Sequence, residues 1–350
     1  MNIANFYPGP SRIYSCIPEF IYEAYMSGIL SANHRSDEFM KLMDETKSIL
    51  RSKLLIPADY EIAFTSSATE SWEIVSQSLV AKGSCHFYNG AFGKKWHGYA
   101  NQLKKTSKVE FGVNDELPVA QVSDELDVIC VTQNETSNGT EVSNEILKKL
   151  REINADKIIA VDVTSSIGGV KIHFENADYW YASVQKCLGL PAGLGVVILS
   201  PKAIEKAFEI GERGHYNSLI SIIENTRKNQ TQYTPNVLGI FLLNKSQGVS
   251  KGISPLHEKL VRRVGHYASV IQDLKGVDYL VRNESVRSKT VLALTHDDPD
   301  AVRAQASDAG IILGAGYGDW KSSSFRIANF PAIKTKEINK LQGFLEQNFQ

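Results

Sequence analysis

Tyr179-Trp180-Tyr181-Ala182-Ser183-Val184-Gln185-Lys186 is an apolar run that ends at a lysine, and a glycine-rich segment at 189–195 separates it from a further apolar run. Similar short runs precede it, with longer amphipathic stretches between them. The six runs lie at 61–64, 85–88, 128–131, 158–161, 179–183 and 196–199, and the helical patterns include 71–79, 92–104 and 144–153. This alternation is typical of strands joined by helical crossovers. It predicts an α/β fold in which helices sandwich a mostly parallel central sheet.

A second pattern begins near Gly248, where a cluster of glycine, serine and proline precedes a long amphipathic helix. The elements predicted after it are a strand at 291–295, a helix at 298–310, a strand around 325–327 and a helix from 335. This order predicts a smaller C-terminal α+β domain. We therefore divide the chain into a large α/β domain at 16–247 and a small domain formed by 1–15 and 248–350.

The composition of the 350-residue chain limits the kinds of protein that it can be. Hydrophobic residues make up 43% of it, which is enough for one large core or two packed domains and excludes a disordered tail or a disulfide-stapled miniprotein. Lysine and arginine number 38, against 39 aspartates and glutamates. Because no excess of positive charge is present to attract a polyanion, we expect no nucleic-acid partner.

We also expect no membrane contact and a cytoplasmic location. No stretch approaches the ~18 consecutive apolar residues that a spanning helix needs, and the first five residues lack the pattern of a secretory signal. Widely spaced cysteines are typical of free thiols in a reducing compartment, so they predict neither a disulfide nor a metal site. They are Cys16, Cys85, Cys130 and Cys187.

The residues that directly follow the apolar runs are the candidates for a ligand site, because ligands of open α/β sheets bind beyond the carboxyl ends of the strands. The first run leads into 65–70, where hydroxyl side chains and a helix start can hold a phosphate or simply cap the helix. The second leads into 89–93, where Phe92 lies between glycines and can stack on a flat ligand or pack in the core. A polar loop at 132–139 follows the third run. Asp162 directly follows the fourth run, as a cap or as an anion for a protonated ring nitrogen.

Lys186 is the most informative of these positions. A lysine at the end of so apolar a strand is unfavourable unless its amine is used, because burial lowers its pKa and makes it a better nucleophile. Such an amine forms Schiff bases with aldehydes. Together with Asp162, Phe92 and the hydroxyl-rich helix start, it matches the needs of pyridoxal 5'-phosphate for a covalent anchor, a ring-nitrogen partner, a ring platform and a phosphate cradle.

The chain resembles the class V aminotransferases, which are fold-type I pyridoxal-phosphate-dependent transferases, over essentially its whole length. Eight matching segments occur in the family's order, at 7–10, 33–36, 89–93, 134–139, 162–169, 183–186, 234–235 and 325–330. The resemblance implies an enzyme that transfers an amino group between an amino acid and a 2-oxo acid in a ping-pong reaction. It also implies a homodimer with active sites at the interface.

The resemblance implies roles for individual residues around the cofactor ring. Lys186 would hold the cofactor covalently and move a proton between the substrate Cα and the cofactor C4′. Asp162 would pair with the pyridine nitrogen and keep it protonated. Phe92 would stack on the ring, and Thr136 would hydrogen-bond the ring hydroxyl.

The remaining implied roles concern phosphate and substrate. Ala68, Thr69 and Gln185 match positions that bind the cofactor phosphate, and Thr234 resembles a threonine that reaches the phosphate of the neighbouring subunit. Arg326 would form a bidentate pair with the substrate α-carboxylate, for which the planar guanidinium is suited.

Within this group the segments 5–10, 134–136 and 326–329 are most similar to phosphoserine aminotransferases, which use 2-oxoglutarate in serine biosynthesis. In that family a pair like His34-Arg35 is contributed across the dimer to the phosphate or side-chain carboxylate of the substrate. Two segments depart from the family's pattern. The segment 66–70 has no cation, and Asp319-Trp320 replaces a second His-Arg pair, with Lys321 as a cation that can offset Asp319.

Three alternatives remain open. An alanine- or serine-glyoxylate aminotransferase has a segment similar to 89–93 and needs no cation for a substrate phosphate. A cysteine desulfurase is less favoured, because that family usually stacks a histidine where this chain has Phe92, and Cys187 beside the lysine is badly placed as a mobile catalytic cysteine. A non-enzymatic protein of this fold would have no use for Lys186 opposite Asp162.

Overall fold

The computed structural model describes residues 3–350, which form fourteen strands and eleven α-helices. The strands are β1 Ala4–Phe6, β2 Glu61–Thr65, β3 Ser84–Tyr88, β4 Thr106–Glu110, β5 Val128–Thr132, β6 Asn134–Glu135, β7 Thr140–Glu141, β8 Ile158–Asp162, β9 Tyr179–Ser183, β10 Gly195–Leu199, β11 Asp278–Tyr279, β12 Val291–Thr295, β13 Ile311–Ala315 and β14 Ser324–Ala328. The helices are α1 Ile17–Ser27, α2 Asp37–Leu54, α3 Glu70–Ser78, α4 Ala91–Leu103, α5 Asn144–Ile153, α6 Pro201–Ile210, α7 Leu219–Thr226, α8 Val237–Gly248, α9 Ile253–Ile271, α10 Pro299–Asp308 and α11 Thr335–Phe349.

Seven strands form the central sheet, in the order β2-β10-β9-β8-β5-β3-β4. The pairs β9-β8, β8-β5, β5-β3 and β3-β4 are parallel, whereas β10 is antiparallel to both of its neighbours. Every residue of β3, β5, β8, β9 and β10 is buried, as expected for strands covered by helices on both faces. The six apolar runs of the sequence are β2, β3, β5, β8, β9 and β10, so the predicted fold class is confirmed.

Alternate residues of the central strands enter two different hydrophobic cores. In β5, Ile129 and Val131 pack in one core, and Val128 and Cys130 pack in the other. This alternation follows from the two-residue period of a strand. Helices close both cores, so the faces of the sheet are covered and the ends of its strands are left for a ligand site.

A second sheet has the order β1-β13-β14-β12-β11 and packs against α9 and α11 in a third core. The N-terminal strand β1 pairs in parallel with β13, with Ala4 opposite Ile311. The predicted domain bounds, 16–247 for the large domain and 1–15 with 248–350 for the small one, stay a prediction. The first two residues of that small domain, Met1 and Asn2, lie outside the described residues.

Two further observations concern residues 3–350. None of their helices is long and apolar enough to cross a lipid bilayer. All four cysteines are free thiols, and Cys85, Cys130 and Cys187 are buried. Free thiols were predicted from the wide spacing of the four cysteines.

Candidate active site

A cavity of about 190 Å³ lies at the carboxyl ends of the central strands. The segments that follow β2, β3, β5, β8 and β9 border it, together with the N-terminal segment and β14. The structure brings eight of the eleven site residues predicted from the sequence to its wall: Ala68, Thr69, Phe92, Thr136, Asp162, Gln185, Lys186 and Arg326. Side chains that are far apart in the sequence thus share one small space.

Lys186 lies three residues beyond the end of β9, and only 7% of it is exposed. Its ammonium group donates a hydrogen bond to the Thr136 hydroxyl over 2.7 Å. Burial lowers the pKa of Lys186 to about 8, although the charges of Asp162 and Glu135 oppose this change. A substantial fraction of the amine is therefore neutral and nucleophilic near physiological pH.

The N-terminal segment 7–10 forms the wall beside this lysine. A Cβ atom at Gly9 would lie 2.8 Å from the Lys186 Cε, and the Gly9 φ of +147° disfavours any other residue. The Ser11 N–H donates to the carbonyl of Gln185 over 3.1 Å, which anchors the segment next to the lysine. The segment 7–10 is one of the eight that resemble the family, but the sequence did not predict that it borders the site.

Asp162 is the last residue of β8 and is buried. Its Oδ1 accepts a hydrogen bond from the Thr164 N–H over 2.8 Å. Burial raises the pKa of Asp162, whereas the hydrogen bonds from Thr164 and the charge of Lys186 oppose this change. Burial outweighs these interactions, so the pKa of Asp162 lies above its ordinary value, and its carboxyl group lines the cavity together with Lys186.

Glu135 is a buried carboxyl group that the sequence did not predict as a site residue. Its Oε2 accepts from the N–H groups of Phe92 and Gly93, each over 3.1 Å, at the first turn of α4. Its Oε1 accepts from the N–H and the hydroxyl of Ser137. Glu135 thus caps α4 and joins it to the loop between β6 and β7, which fixes Phe92 beside Thr136.

Tyr317 is the second aromatic residue of the cavity, and it was not predicted either. Its ring lies nearly parallel to that of Phe92, at 13°, with 5.2 Å between the centroids. Gly316 and Gly318 flank it directly after β13. The same signal, an aromatic residue between glycines at a strand end, identified Phe92 and would have found Tyr317 had β13 been predicted.

Arg326 lies in β14, and its guanidinium group is held by two backbone carbonyls. Nε donates to Ala315 and Nη1 donates to Thr136, each over 2.7 Å. Burial lowers the pKa of Arg326, and the nearby acidic and phenolic groups oppose this change. One hydrogen of Nη1 and both hydrogens of Nη2 are not used by these two bonds, so the outer edge of the guanidinium can bind a carboxylate.

Three predicted site residues do not line this cavity within one chain. Thr234 and Arg35 are exposed, and His34 is half-buried. The sequence assigned all three to contacts across a dimer, which a single chain does not test. Their roles stay predictions.

Comparison with known proteins identifies the family. A model of the family "Aminotransferase class-V" matches residues 5–317, so this chain belongs to the class V aminotransferases. The protein is therefore an aminotransferase that depends on pyridoxal 5'-phosphate.

The chain is similar to several individual aminotransferases. A phosphoserine aminotransferase of Rhodococcus opacus is 27% identical over 328 residues, which span 90% of this chain and 87% of the relative. The crystal structure of a phosphoserine aminotransferase from Cytophaga hutchinsonii has 32% identity and a TM-score of 0.95, over 99% of each chain. An alanine-glyoxylate aminotransferase from Nostoc shares the fold, with 19% identity and a TM-score of 0.81 over 98% of this chain and 95% of its own.

The residues of the cavity fit this cofactor. Among residues 3–350, Gln185 Oε1 is buried without a hydrogen-bond partner, and Gln185 lines the cavity. Buried polar atoms normally have partners, so this atom is suited to a polar ligand. The N–H of Ala68 donates to the Ser183 hydroxyl over 2.7 Å, which fixes the loop before α3 against the end of β9.

Proposed function

We propose that this protein is a phosphoserine:2-oxoglutarate aminotransferase of serine biosynthesis. The observation that carries the proposal is the combination of the buried amine of Lys186 with the Arg326 guanidinium in one cavity. The first suits covalent binding of a cofactor aldehyde, and the second suits binding of an amino-acid carboxylate. The likeness to phosphoserine aminotransferases over nearly the whole chain supports this substrate.

Each side chain then has a chemical task. When bound, pyridoxal phosphate withdraws electrons from the substrate Cα, so that its proton can leave. Lys186 Nζ accepts that proton and later returns it, and the Thr136 hydroxyl holds the amine in place. Arg326 orients the substrate through its α-carboxylate. Asp162 keeps a proton at the ring nitrogen by its negative charge.

We further propose how the cofactor is held. Phe92 stacks on its ring, and the rigid cap of α4 by Glu135 supports this aromatic platform. Thr136 contacts the ring hydroxyl. Ala68, Thr69 and Gln185 lie at the start of α3 and just beyond β9, where the positive end of a helix favours a phosphate.

We also propose a cytoplasmic homodimer in which His34, Arg35 and Thr234 reach the active site of the partner. A group of exposed apolar side chains on α1 supports the dimer, since such patches mark interfaces; these are Ile21, Tyr22, Tyr25 and Met26, which are 40–72% exposed. The free thiols support a reducing compartment. The substrates would be an amino acid and a 2-oxo acid.

The test is a spectral titration of the cofactor-loaded protein with phosphoserine, glutamate, alanine and serine, each added separately. We expect phosphoserine and glutamate to convert the lysine-bound form of the cofactor to the amine form, which the visible absorbance reports. Conversion by alanine or serine alone would contradict the proposal. It would favour an alanine- or serine-glyoxylate aminotransferase, the second candidate, which the negative charge of Asp319 beside the site supports.

A further inference from the structure

Lys95 and Tyr317 form a hydrogen-bonded pair between two cavities. The Lys95 ammonium donates to the Tyr317 hydroxyl over 2.6 Å. Tyr317 lines the active-site cavity, whereas Lys95 lines a second cavity of about 480 Å³, which the start of α4 and residues 318–320 also border.

This pair presents several hydrogen-bond donors. An ammonium group has three N–H donors and no acceptor, and Lys95 uses one of them on the phenol oxygen. Because that oxygen accepts, the phenol proton of Tyr317 must point elsewhere, and among residues 3–350 it has no acceptor within hydrogen-bonding distance. Two N–H groups and one O–H group remain for a ligand, which must supply acceptor oxygens.

The charge of Lys95 has no acidic partner in the described part of the chain. No carboxylate oxygen of residues 3–350 lies within 4.0 Å of its ammonium group. Asp319 and Glu110 border the same second cavity, but neither forms an ion pair with Lys95. The ligand that fits this pair is therefore an anion.

The position of Lys95 relative to the reacting groups points to the substrate. Its ammonium group lies 4.9 Å from the Tyr317 ring centroid, and the Arg326 guanidinium lies 5.4 Å from the same centroid. The two cations are thus no farther apart than the sum of these distances. The Lys186 amine lies 5.2 Å from the centroid of Phe92, on which Tyr317 stacks. An amino acid with its carboxylate at Arg326 and its Cα near Lys186 can extend a short anionic side chain to Lys95.

We propose that Lys95 binds the phosphate of the substrate side chain and that the Tyr317 hydroxyl positions Lys95 and adds a second donor. This inference rests on the proposed function, since it concerns the side chain of phosphoserine. Lys95 supplies, within one chain, a positive charge for the phosphate. The segments 66–70 and Asp319-Trp320, where the family has cations, do not provide one. Lys95 is in this view a determinant of substrate specificity.

The test measures binding of two competitors to the cofactor-loaded enzyme by calorimetry. 3-Phosphoglycerate and glycerate have the same carboxylate and C2 hydroxyl groups, and they differ only at C3, where the first has a phosphate ester and the second a hydroxyl. We expect Lys95→Gln to lower the ratio of their affinities by about tenfold or more, because hydrogen bonds to a charged group are lost. Tyr317→Phe removes one donor and the anchor of Lys95, so it should lower the same ratio by a smaller factor.

Lys94→Gln is the matched control, because Lys94 borders the same cavity and makes no hydrogen bond to Tyr317. It should change the ratio by less than about twofold. The visible absorbance of the bound cofactor checks that each variant is folded and loaded.

The outcomes separate this inference from the proposed function. If the wild type converts phosphoserine but Lys95→Gln leaves the ratio unchanged, or Lys94→Gln lowers it equally, the assignment of Lys95 is wrong. If the wild type converts alanine alone and binds 3-phosphoglycerate no better than glycerate, the proposed function is wrong, and the inference is wrong with it.

Discussion

Lys186 shows how burial sets the reactivity of one side chain. Its pKa of about 8, below the ordinary 10.5, means that the neutral amine becomes the major form above pH 8. We predict that the rate of covalent cofactor attachment to the cofactor-free protein rises between pH 7 and 9, with a midpoint of about 8. Stopped-flow absorbance at a series of pH values measures it.

Two neighbours of Lys186 provide opposite controls for this midpoint. The charge of Asp162 raises the pKa of Lys186, and the charge of Arg326 lowers it. Asp162→Asn should therefore move the midpoint down, and Arg326→Gln should move it up. A midpoint near 10.5 in the wild type would contradict the argument from burial. Shifts of the same sign in both variants would contradict the effects assigned to the two charges.

Gly9 is the second residue whose identity the geometry requires. In Gly9→Ala the new methyl group would lie 2.8 Å from the Lys186 Cε, in a backbone conformation that favours glycine. We predict displacement of the lysine and cofactor binding that is weaker by about tenfold or more, since local strain of this kind costs about 1–3 kcal/mol. Fluorescence titration with the cofactor measures it.

Gly98→Ala is the control for this substitution. Gly98 lies within α4, and a Cβ atom there would have no heavy atom within 4 Å apart from its chain neighbours and the adjacent helix backbone. Alanine should stabilise the helix by about 0.5–1 kcal/mol and leave cofactor binding unchanged. Equal effects of the two substitutions on cofactor affinity would show that the contact with Lys186 is unimportant.

Among the structural elements, α4 has an N-terminal cap made by the Glu135 carboxyl group together with the Ser137 hydroxyl, which accepts from the Ala91 N–H. In Glu135→Gln an amide NH₂ would face either the N–H groups of Phe92 and Gly93 or the N–H of Ser137. Because two donors cannot pair, we predict a loss of about 1–3 kcal/mol in the free energy of unfolding. Urea unfolding measures it.

The effect should be specific to the buried cap. Glu152→Gln changes an exposed carboxylate on α5 and should alter stability by less than about 0.5 kcal/mol. If Glu135→Gln is equally mild, the four hydrogen bonds of Glu135 do not hold α4 in place.

The elements also show which parts of the fold the sequence can predict. Central strands such as β5 and β8 are buried on both faces, so they appear as continuous apolar runs. The edge strand β4 is largely polar and only partly buried, and it was missed. Helix α8 was missed for the opposite reason, because it is buried around most of its circumference and lacks an amphipathic pattern.

The same distinction applies to the candidate site. Lys186, Asp162 and Phe92 were predictable because each lies at or just beyond the end of a strand, at the same edge of the sheet. Tyr317 comes from a loop of the second sheet and meets Phe92 only after both sheets have formed. Glu135 binds backbone N–H groups. Almost every residue has such a group, so the sequence could not predict which of them this carboxyl group would bind.

At the scale of the whole molecule, the proposed dimer makes a prediction about mixed subunits. Lys186→Ala and Arg35→Ala should each be nearly inactive alone. If Arg35 acts across the interface, a mixed dimer has one site with both residues intact. Unfolding and refolding an equal mixture should then restore about a quarter of wild-type activity, since half of the dimers are mixed.

This experiment has an internal control. If Arg35 acted within its own chain, no mixed dimer would contain an intact site, and activity would stay at the level of the separate variants. Sedimentation of the wild type gives the assembly state, and Tyr25→Glu on the apolar face of α1 should shift it toward the monomer. The exposed Ile153→Glu on α5 should not.

The pairing of β1 with β13 also bears on how the protein is made. Ala4 is translated about 300 residues before its partner Ile311. At the usual speed of translation, β1 waits for roughly tens of seconds before its partner exists. Because the adjoining segment 7–10 forms the wall beside Lys186, a nascent chain cannot enclose its cofactor until β13, far along the sequence, has been made.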